Sequence, residues 1–171
     1  MKRIRRDNNL ALQENTILNE SNAQKSEYVV NYSYLEQESG TEYVYLILDL
    51  CEESLQDFVL SEANSSTYLQ KTLPEILRQI LKGLADLHSE PRPILHRDLK
   101  PSNVLRDAQG KFLIADFGIS RILKDECTTY LSHAKSGTEY WMAPESYREN
   151  DESVDKSRYK RESDVMVGVE M

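Results

Sequence analysis

Apolar and polar positions recur along this chain with two different periods, and the switches between those periods mark its elements. Residues Leu10 to Ser21 read as a helix whose apolar stripe carries Leu10, Ile17 and Leu18. Glu14 lies four residues after Leu10 and three before Ile17, so it falls on that stripe. A carboxylate facing inward needs a cation or a hydrogen-bonding partner. Tyr43 to Leu48 is β-branched and aromatic and reads as a buried strand. From Leu73 to His88 the apolar positions 73, 76, 77, 80, 81, 84 and 87 follow a helical period. Thr72 and Glu75 form a capping box at its start, and Pro91 and Pro93 stop it. The polar stretches Asn19 to Glu27 and Glu149 to Arg161 read as surface loops, and neither is a domain linker, because apolar segments that need partners flank both.

A short strand around Asn103 to Leu105, a turn at Asp107-Ala108-Gln109-Gly110 and a strand from Phe112 to Ala115 predict a hairpin. A hairpin brings the residues before its first strand close to those after its second. Here these are His96-Arg97-Asp98 and Asp116-Phe117-Gly118, so Asp98, Lys100, Asn103 and Asp116 converge at one end. Two neighbouring carboxylates raise each other's pKa unless a cation separates them. A carboxylate with an asparagine oxygen offers the hard oxygen ligands that suit magnesium, which commonly retains waters and takes substrate phosphates. Lys100 adds a cation for developing phosphate charge. This is equipment for phosphoryl transfer.

Composition narrows the picture. The 171 residues suffice for one domain, and with 39% hydrophobic residues the chain can bury a core. A net charge of −8 argues against nonspecific grip on nucleic acid or anionic membrane. No stretch approaches the roughly 20 apolar residues of a membrane-spanning helix, and the basic start has no apolar run behind it. Two cysteines, Cys51 and Cys127, make neither a disulfide framework nor a zinc site, so a reducing, cytoplasmic setting is expected. Cys51 reads as a small buried apolar group, and His88 and His133 as packing or surface residues.

His96-Arg97-Asp98-Leu99-Lys100-Pro101-Ser102-Asn103 resembles the catalytic loop of protein kinases, Asp116-Phe117-Gly118 their metal-binding triplet, and Ala143-Pro144-Glu145 the end of their activation segment. The three in this order, with the hairpin between the first two, make a specific signal. The resemblance implies an α+β, two-lobed fold binding ATP and Mg2+ between the lobes. It implies Asp98 as the base for the substrate hydroxyl, Asn103 and Asp116 as magnesium ligands, and Lys100 as the phosphate contact of serine/threonine kinases. By the same resemblance Leu48 is the gatekeeper, Asp49-Leu50-Cys51 the hinge that meets adenine, and Asp57 a further nucleotide contact. Lys2 resembles the strand lysine on the α/β-phosphates, with Glu14 as its partner; the competing reading is a solvated basic terminus and a capped surface glutamate. Arg97 resembles the arginine that receives a phosphorylated activation-segment residue, for which Thr128, Thr129, Ser132 and Ser136 are the candidates. Thr138 resembles the threonine of the substrate-facing loop.

Shorter motifs narrow the resemblance. Leu50-Cys51 with Ser54-Leu55-Gln56-Asp57-Phe58-Val59, the run Asp116 to Ser120, the block Gly137 to Trp141 and Tyr159 to Asp164 are similar to the inositol-requiring kinase/endoribonucleases, sensors of unfolded protein. Ribonuclease L is a more distant relative. This implies autophosphorylation in trans within a homo-oligomer of the full-length protein, at the cytosolic face of the endoplasmic reticulum membrane, on itself or another protein substrate. Direct nucleic-acid binding and a membrane segment are not expected of this chain.

The pattern also departs. The glycines sit at 40, 83, 110, 118, 137 and 168, so no Gly-rich loop stands near the N-terminus. The arginine that would pair with Glu145 is absent too. The expectation is a kinase domain incomplete at both ends: 1–48 part of the N-lobe, 49–53 the hinge, and 54–171 part of the C-lobe through the activation segment. Two alternatives stand beside a working kinase: a nucleotide-binding pseudokinase that scaffolds an endoribonuclease domain, and an inactive fragment. By itself the chain is expected to be aggregated or molten, because each leucine or isoleucine left wet forfeits roughly 1.5–3 kcal/mol of a total stability of about 5–15 kcal/mol.

Overall fold

The computed structural model describes residues 1–5, 10–37, 40–61, 65–124, 127–132, 136–146 and 157–170, with side chains of residues 5, 10 and 167–170 outside the description. His133, the Leu10 side chain and residues 149–156 of the second polar stretch therefore lie outside the described residues.

The chain opens with strand β1 (Lys2–Arg5) and helix α1 (Leu10–Leu18), then a short helix α2 (Ser21–Gln24). Strands β2 (Tyr32–Gln37) and β3 (Tyr43–Leu48) follow and form an antiparallel sheet in the order β1-β3-β2, with Lys2 opposite Leu46. The strand expected at residues 43–48 is present but buried on one face, with Val44 and Leu46 inward and Tyr43 and Tyr45 half-exposed. Period-two geometry puts alternate side chains on opposite faces, and α1 covers only the inner one.

A second sheet is built from β4 (Cys51–Ser54), then β6 and β7; between them in sequence come α3 (Leu55–Leu60), α4 (Ser66–Leu87) and β5 (Ile94–Leu95). Strands β6 (Val104–Asp107) and β7 (Phe112–Ile114) form the expected hairpin, pairing Val104 with Ile114 and Arg106 with Phe112. Its turn follows from the sequence: the Asp107 carboxylate accepts from the amides of Gln109 and Lys111 at 2.9 and 2.8 Å, and Gly110 adopts φ +81°. Asn103 lies just before the hairpin, in a single 3₁₀ turn over Pro101–Asn103. The chain closes with β8 (Arg121–Ile122) on β5, β9 (Thr129–Ser132) on β10 (Ser157–Lys160), and α5 (Arg161–Glu170) against α4.

Helix α4 begins seven residues before the expected start. Its N-cap is Ser65, whose hydroxyl accepts from the Tyr68 amide, and Pro74 lies inside the helix. Thr72 donates to the Tyr68 carbonyl and Glu75 pairs with Arg78, so neither residue caps. Pro74 forgoes one ladder hydrogen bond, but Leu69 and Leu73 before it and Ile76, Ile80, Leu84 and Leu87 after it share one core-facing stripe. Continuous packing on both sides of the proline carries the helix through it. The polar stretch at residues 19–27 is likewise not all loop. Helix α2 buries Ala23, and Asn22 donates to the carbonyls of Ser89 and Arg92 at 2.6 and 3.1 Å, satisfying groups just past the end of α4.

Phe117, Ile80, Leu84, Leu87, Ile94, Val104 and Ile114 meet in the main core. The α4–β7 contact is set by Gly83, where an added Cβ would come within 2.9 Å of Ile114 Cδ1 and 3.0 Å of the Tyr28 carbonyl oxygen. Alanine is the better helix former by about 0.8–1 kcal/mol, while overpacking costs about 1–3 kcal/mol, so Gly83→Ala should destabilise by up to about 2 kcal/mol in denaturant unfolding of the natural full-length protein. A gain in stability would show that propensity, not close approach, decides this position.

Candidate active site

The two sheets flank a cleft of about 450 Å3, lined by Lys2 and Glu14 from one side, Leu48 to Ser54 along its back, and Asn103 and Asp116 on the other side. At one end, β1 delivers Lys2 and α1 delivers Glu14. The Lys2 ammonium lies 2.9 and 2.7 Å from the two Glu14 carboxylate oxygens and 2.8 Å from Asp116 Oδ1. Glu14 is 1% exposed. The pair is thus a partly buried ion pair bridged to a second carboxylate, and a solvated terminus beside a surface glutamate does not describe it.

The electrostatics follow from this geometry. Burial pulls the Lys2 ammonium down, but Glu14 and Asp116 outweigh it and hold it above the usual lysine value. Burial raises the Glu14 carboxyl above its ordinary value against the opposing pull of Lys2. Asp116 is half-exposed: burial pushes its carboxyl up, yet hydrogen bonding and charge from Lys2, with the Gly118 amide, bring it below the ordinary aspartate value. The Cys51 thiol at the back of the cleft is raised by burial and then by Asp107 and Asp49, consistent with an inert group.

Around Asp98 the contacts are dense. Its Oδ1 accepts from the Thr138 hydroxyl at 2.8 Å, and its Oδ2 takes Lys100 Nζ at 3.0 Å and Asn103 Nδ2 at 3.1 Å. Lys100 Nζ also donates to Thr138 Oγ1 at 2.7 Å. Asn103 donates its Nδ2 to the Asp98 carbonyl at 2.8 Å as well as to the carboxylate, which fixes the amide group. Asp98, Lys100, Asn103 and Thr138 therefore form one cluster, while Asp116 joins the Lys2 cluster across the cleft. Ser54 caps α3, accepting from the Asp57 amide at 3.1 Å and donating to its carboxylate at 2.6 Å, which places Asp57 at the cleft wall. Asp49 accepts from Asn31 Nδ2 at 3.1 Å.

Arg97 and Asp116 have φ of +70° and +65°, values that non-glycine residues seldom adopt. The surroundings over-determine both turns. Asp164, 4% exposed at the start of α5, accepts from the amides of His96 and Arg97 at 2.8 and 2.9 Å and from His88 Nε2 at 3.0 Å. His96 Nε2 lies 3.0 Å or less from the Ala115 carbonyl, at 2.9 Å, and its ring stacks edge-on to Phe117. From α1, Gln13 Nε2 donates to the carbonyls of Gly118 and Ser120 at 3.1 and 2.7 Å. Sequence reasoning assigned no role to Asp164 or Gln13. His88, read as packing or surface, is half-buried on Asp164.

Arg97 is buried, donates from Nη1 to the Ile119 carbonyl at 3.0 Å, and lies between the rings of Tyr130 and Tyr159, 4.7 and 4.1 Å from their centroids. Burial draws its guanidinium below the usual arginine value, partly offset by Tyr159 and Tyr130. Of the four hydroxyls proposed to meet it, Thr128 is exposed, Thr129 and Ser132 sit in β9, and Ser136 bonds to Tyr159 through its backbone. Glu145 accepts from the Ser163 hydroxyl at 2.5 Å.

A family model described as protein kinase domain matches residues 1–166. The chain belongs to the protein kinase family. The α+β architecture with its hairpin and cleft is the kinase architecture. Among curated relatives, the serine/threonine-protein kinase/endoribonuclease ireA of Aspergillus fumigatus is 38% identical over 136 residues, covering 72% of this chain and 11% of that protein. The serine/threonine-protein kinase/endoribonuclease IRE1 of Hypocrea jecorina is 31% identical over 177 residues, covering 93% and 13%. The human serine/threonine-protein kinase/endoribonuclease IRE2 is 40% identical over 119 residues, covering 66% and 12%. The chain thus spans about one-eighth of the length of these relatives. Kinases of this family use ATP and Mg2+. Among the described residues no group of three or more His, Cys, Asp or Glu forms a self-sufficient metal site, and no helix is long and apolar enough to cross a membrane.

The Lys2–Glu14 pair yields a pH-dependent expectation. Lys2→Met leaves Glu14 buried without its cation and raises the Glu14 carboxyl further. A carboxyl with a folded pKa above its unfolded value gains a proton on folding, so its stability contribution grows as pH falls towards the unfolded value. Lys2→Met should cost about 3 kcal/mol near pH 8, the low end for breaking a buried pair because Lys2 is one-third exposed, and the gap should narrow near pH 5.5. Urea unfolding of the natural full-length protein at the two pH values checks this; a gap independent of pH would contradict it.

Proposed function

We propose that this chain carries the phosphoryl-transfer centre of a serine/threonine protein kinase, with residues 1–48 as part of the upper lobe, 49–53 as the hinge and 54–171 as part of the lower lobe. The observation that carries the reading is the Lys2 bridge, which ties a carboxylate from α1 to one at the end of the hairpin. In this reading Lys2 holds the α/β-phosphates, Glu14 orients Lys2, the backbone of Asp49 and Cys51 faces adenine, and Asp57 lies on the ribose side.

Asp98 accepts the proton of the substrate hydroxyl. Its carboxylate already accepts a hydroxyl hydrogen bond, from Thr138, so the site is chemically suited to that step. Lys100, between Asp98 and Thr138, supplies positive charge where the transferring group gains negative charge. The donor set fits magnesium: the half-exposed Asp116 carboxylate and the Asn103 amide oxygen are two hard ligands, leaving further positions to phosphate and water. Magnesium, when bound, would neutralise charge on the phosphates.

The relatives whose names join kinase to endoribonuclease support a finer proposal. The natural protein would phosphorylate itself in trans within a homo-oligomer, in unfolded-protein signalling at the cytosolic face of the endoplasmic reticulum. Arg97 would then receive a phosphate on Thr128, Thr129, Ser132 or Ser136 only after the Tyr130 and Tyr159 rings give way.

Calorimetric titration of the natural full-length protein with Mg-ATP separates the roles. Asp116→Asn should weaken metal-dependent nucleotide binding and abolish transfer. Asp98→Asn should leave ATP binding largely intact while lowering turnover about a hundredfold or more, as for loss of a positioned base. Equal loss of binding in both variants would sink the assignment.

A further inference from the structure

Three consecutive residues connect the Arg97 stack to Asp98, and each is held by a different contact. Tyr159 lies in β10 directly opposite Tyr130 of β9 and is 2% exposed. Its phenol oxygen accepts from the Ser136 amide at 2.9 Å and donates to the Ser136 carbonyl at 2.8 Å. One buried hydroxyl therefore satisfies both main-chain groups of a residue outside any sheet. Its ring meanwhile stacks on Arg97, whose Nε and Nη2 are buried without a hydrogen-bond partner, so the aromatic faces are the compensation for that charge.

The next residue, Gly137, has φ +115°, and a Cβ there would come 2.8 Å from the Arg97 carbonyl oxygen. No L side chain fits so close an approach. The residue after that is Thr138, with its hydroxyl between Asp98 and Lys100. Ser136 and Thr138 are thus joined through a single glycine that runs close along the Arg97 backbone, which makes Gly137 the covalent route by which a shift at Ser136 reaches Thr138.

We propose that Tyr159 is a positioning residue for the transfer reaction: it fixes Ser136, and through the Gly137 contact it sets where Thr138 holds Asp98 and Lys100. The inference rests on the kinase reading above. Tyr159→Phe is the sharp probe, since it keeps the ring on Arg97 and removes both bonds to Ser136.

In the natural full-length protein, Tyr159→Phe should lower kcat roughly tenfold or more, because displacements of about an ångström at a reacting centre cost up to a hundredfold, while KM for ATP stays unchanged. In a Thr138→Ala background the same substitution should change kcat less than about twofold, since coupled residues are non-additive. A merely structural role would lower kcat by the same factor in both backgrounds, and that result, or an unchanged kcat in the single variant, would overturn the proposal alone. An unaltered protein that transfers no phosphate would overturn the kinase reading and this proposal with it. Hydrogen exchange needs no variant to fold: the Ser136 amide of the unaltered protein should exchange about a hundredfold or more slower than a free amide. Exchange at the free rate would overturn the proposal.

Discussion

Lys2 is one cation shared by two carboxylates that reach it from different parts of the chain, and the cleft depends on that sharing. Glu14 on α1 is almost fully buried, so as an ion it has lost most of its hydration. A buried pair gains stability only when geometry and further hydrogen bonds are good, and contacts of 2.7 and 2.9 Å to both oxygens meet that requirement. The third contact, to Asp116, ties the first sheet and α1 to the far side of the cleft. It adds to the contacts that the segment between α1 and β2 makes with the far side, where the Val30 amide donates to the Ile114 carbonyl at 2.9 Å and the Ile114 amide to the Tyr28 carbonyl at 2.8 Å. The Lys2 bridge is therefore both a fold contact and the feature that aims charged groups into the cavity.

The opposite side is organised by Asp164. It is a buried acceptor for two consecutive amides, and those amides belong to the turn in which Arg97 takes a left-handed conformation. Strain of this kind, typically about 1–3 kcal/mol per residue, persists only where surrounding contacts over-determine it. Asp164, His96 on the Ala115 carbonyl and Gln13 on the Gly118 and Ser120 carbonyls supply those contacts around Arg97 and Asp116. The strained residues flank Asp98 and sit on Asp116, where the proposed chemistry requires fixed carboxylates.

What could be read from the sequence was local or carried by a sharp motif. The β6–β7 hairpin was legible because its turn residues and strand residues adjoin, and with it the approach of Asp98, Lys100 and Asn103. The inward position of Glu14 was legible from helical spacing alone. Other features required knowledge of distant pairings. Tyr159 lies 29 positions from Tyr130, and no periodicity announces that β9 and β10 pair. Asp164 caps a turn 67 positions earlier. The start of α4 was misplaced because Thr72 and Glu75 have the spacing of a capping box, while the packing that carries the helix back past Pro74 to Ser66 is tertiary. Helix α2 was hidden by its polar composition: one buried alanine and one asparagine reaching the end of α4 are all that distinguish it from a loop.

The central claim is that the cleft transfers phosphate to a hydroxyl and does not merely hold nucleotide. Incubating the natural full-length protein with γ-labelled ATP and Mg2+, followed by phosphoamino-acid analysis, tests it most directly. The account predicts label on serine or threonine, on the protein itself or an added peptide, with the rate of labelling lowered about a hundredfold or more when Asp98 is replaced by asparagine. Saturable binding of Mg-ATP with no label on any hydroxyl would contradict it.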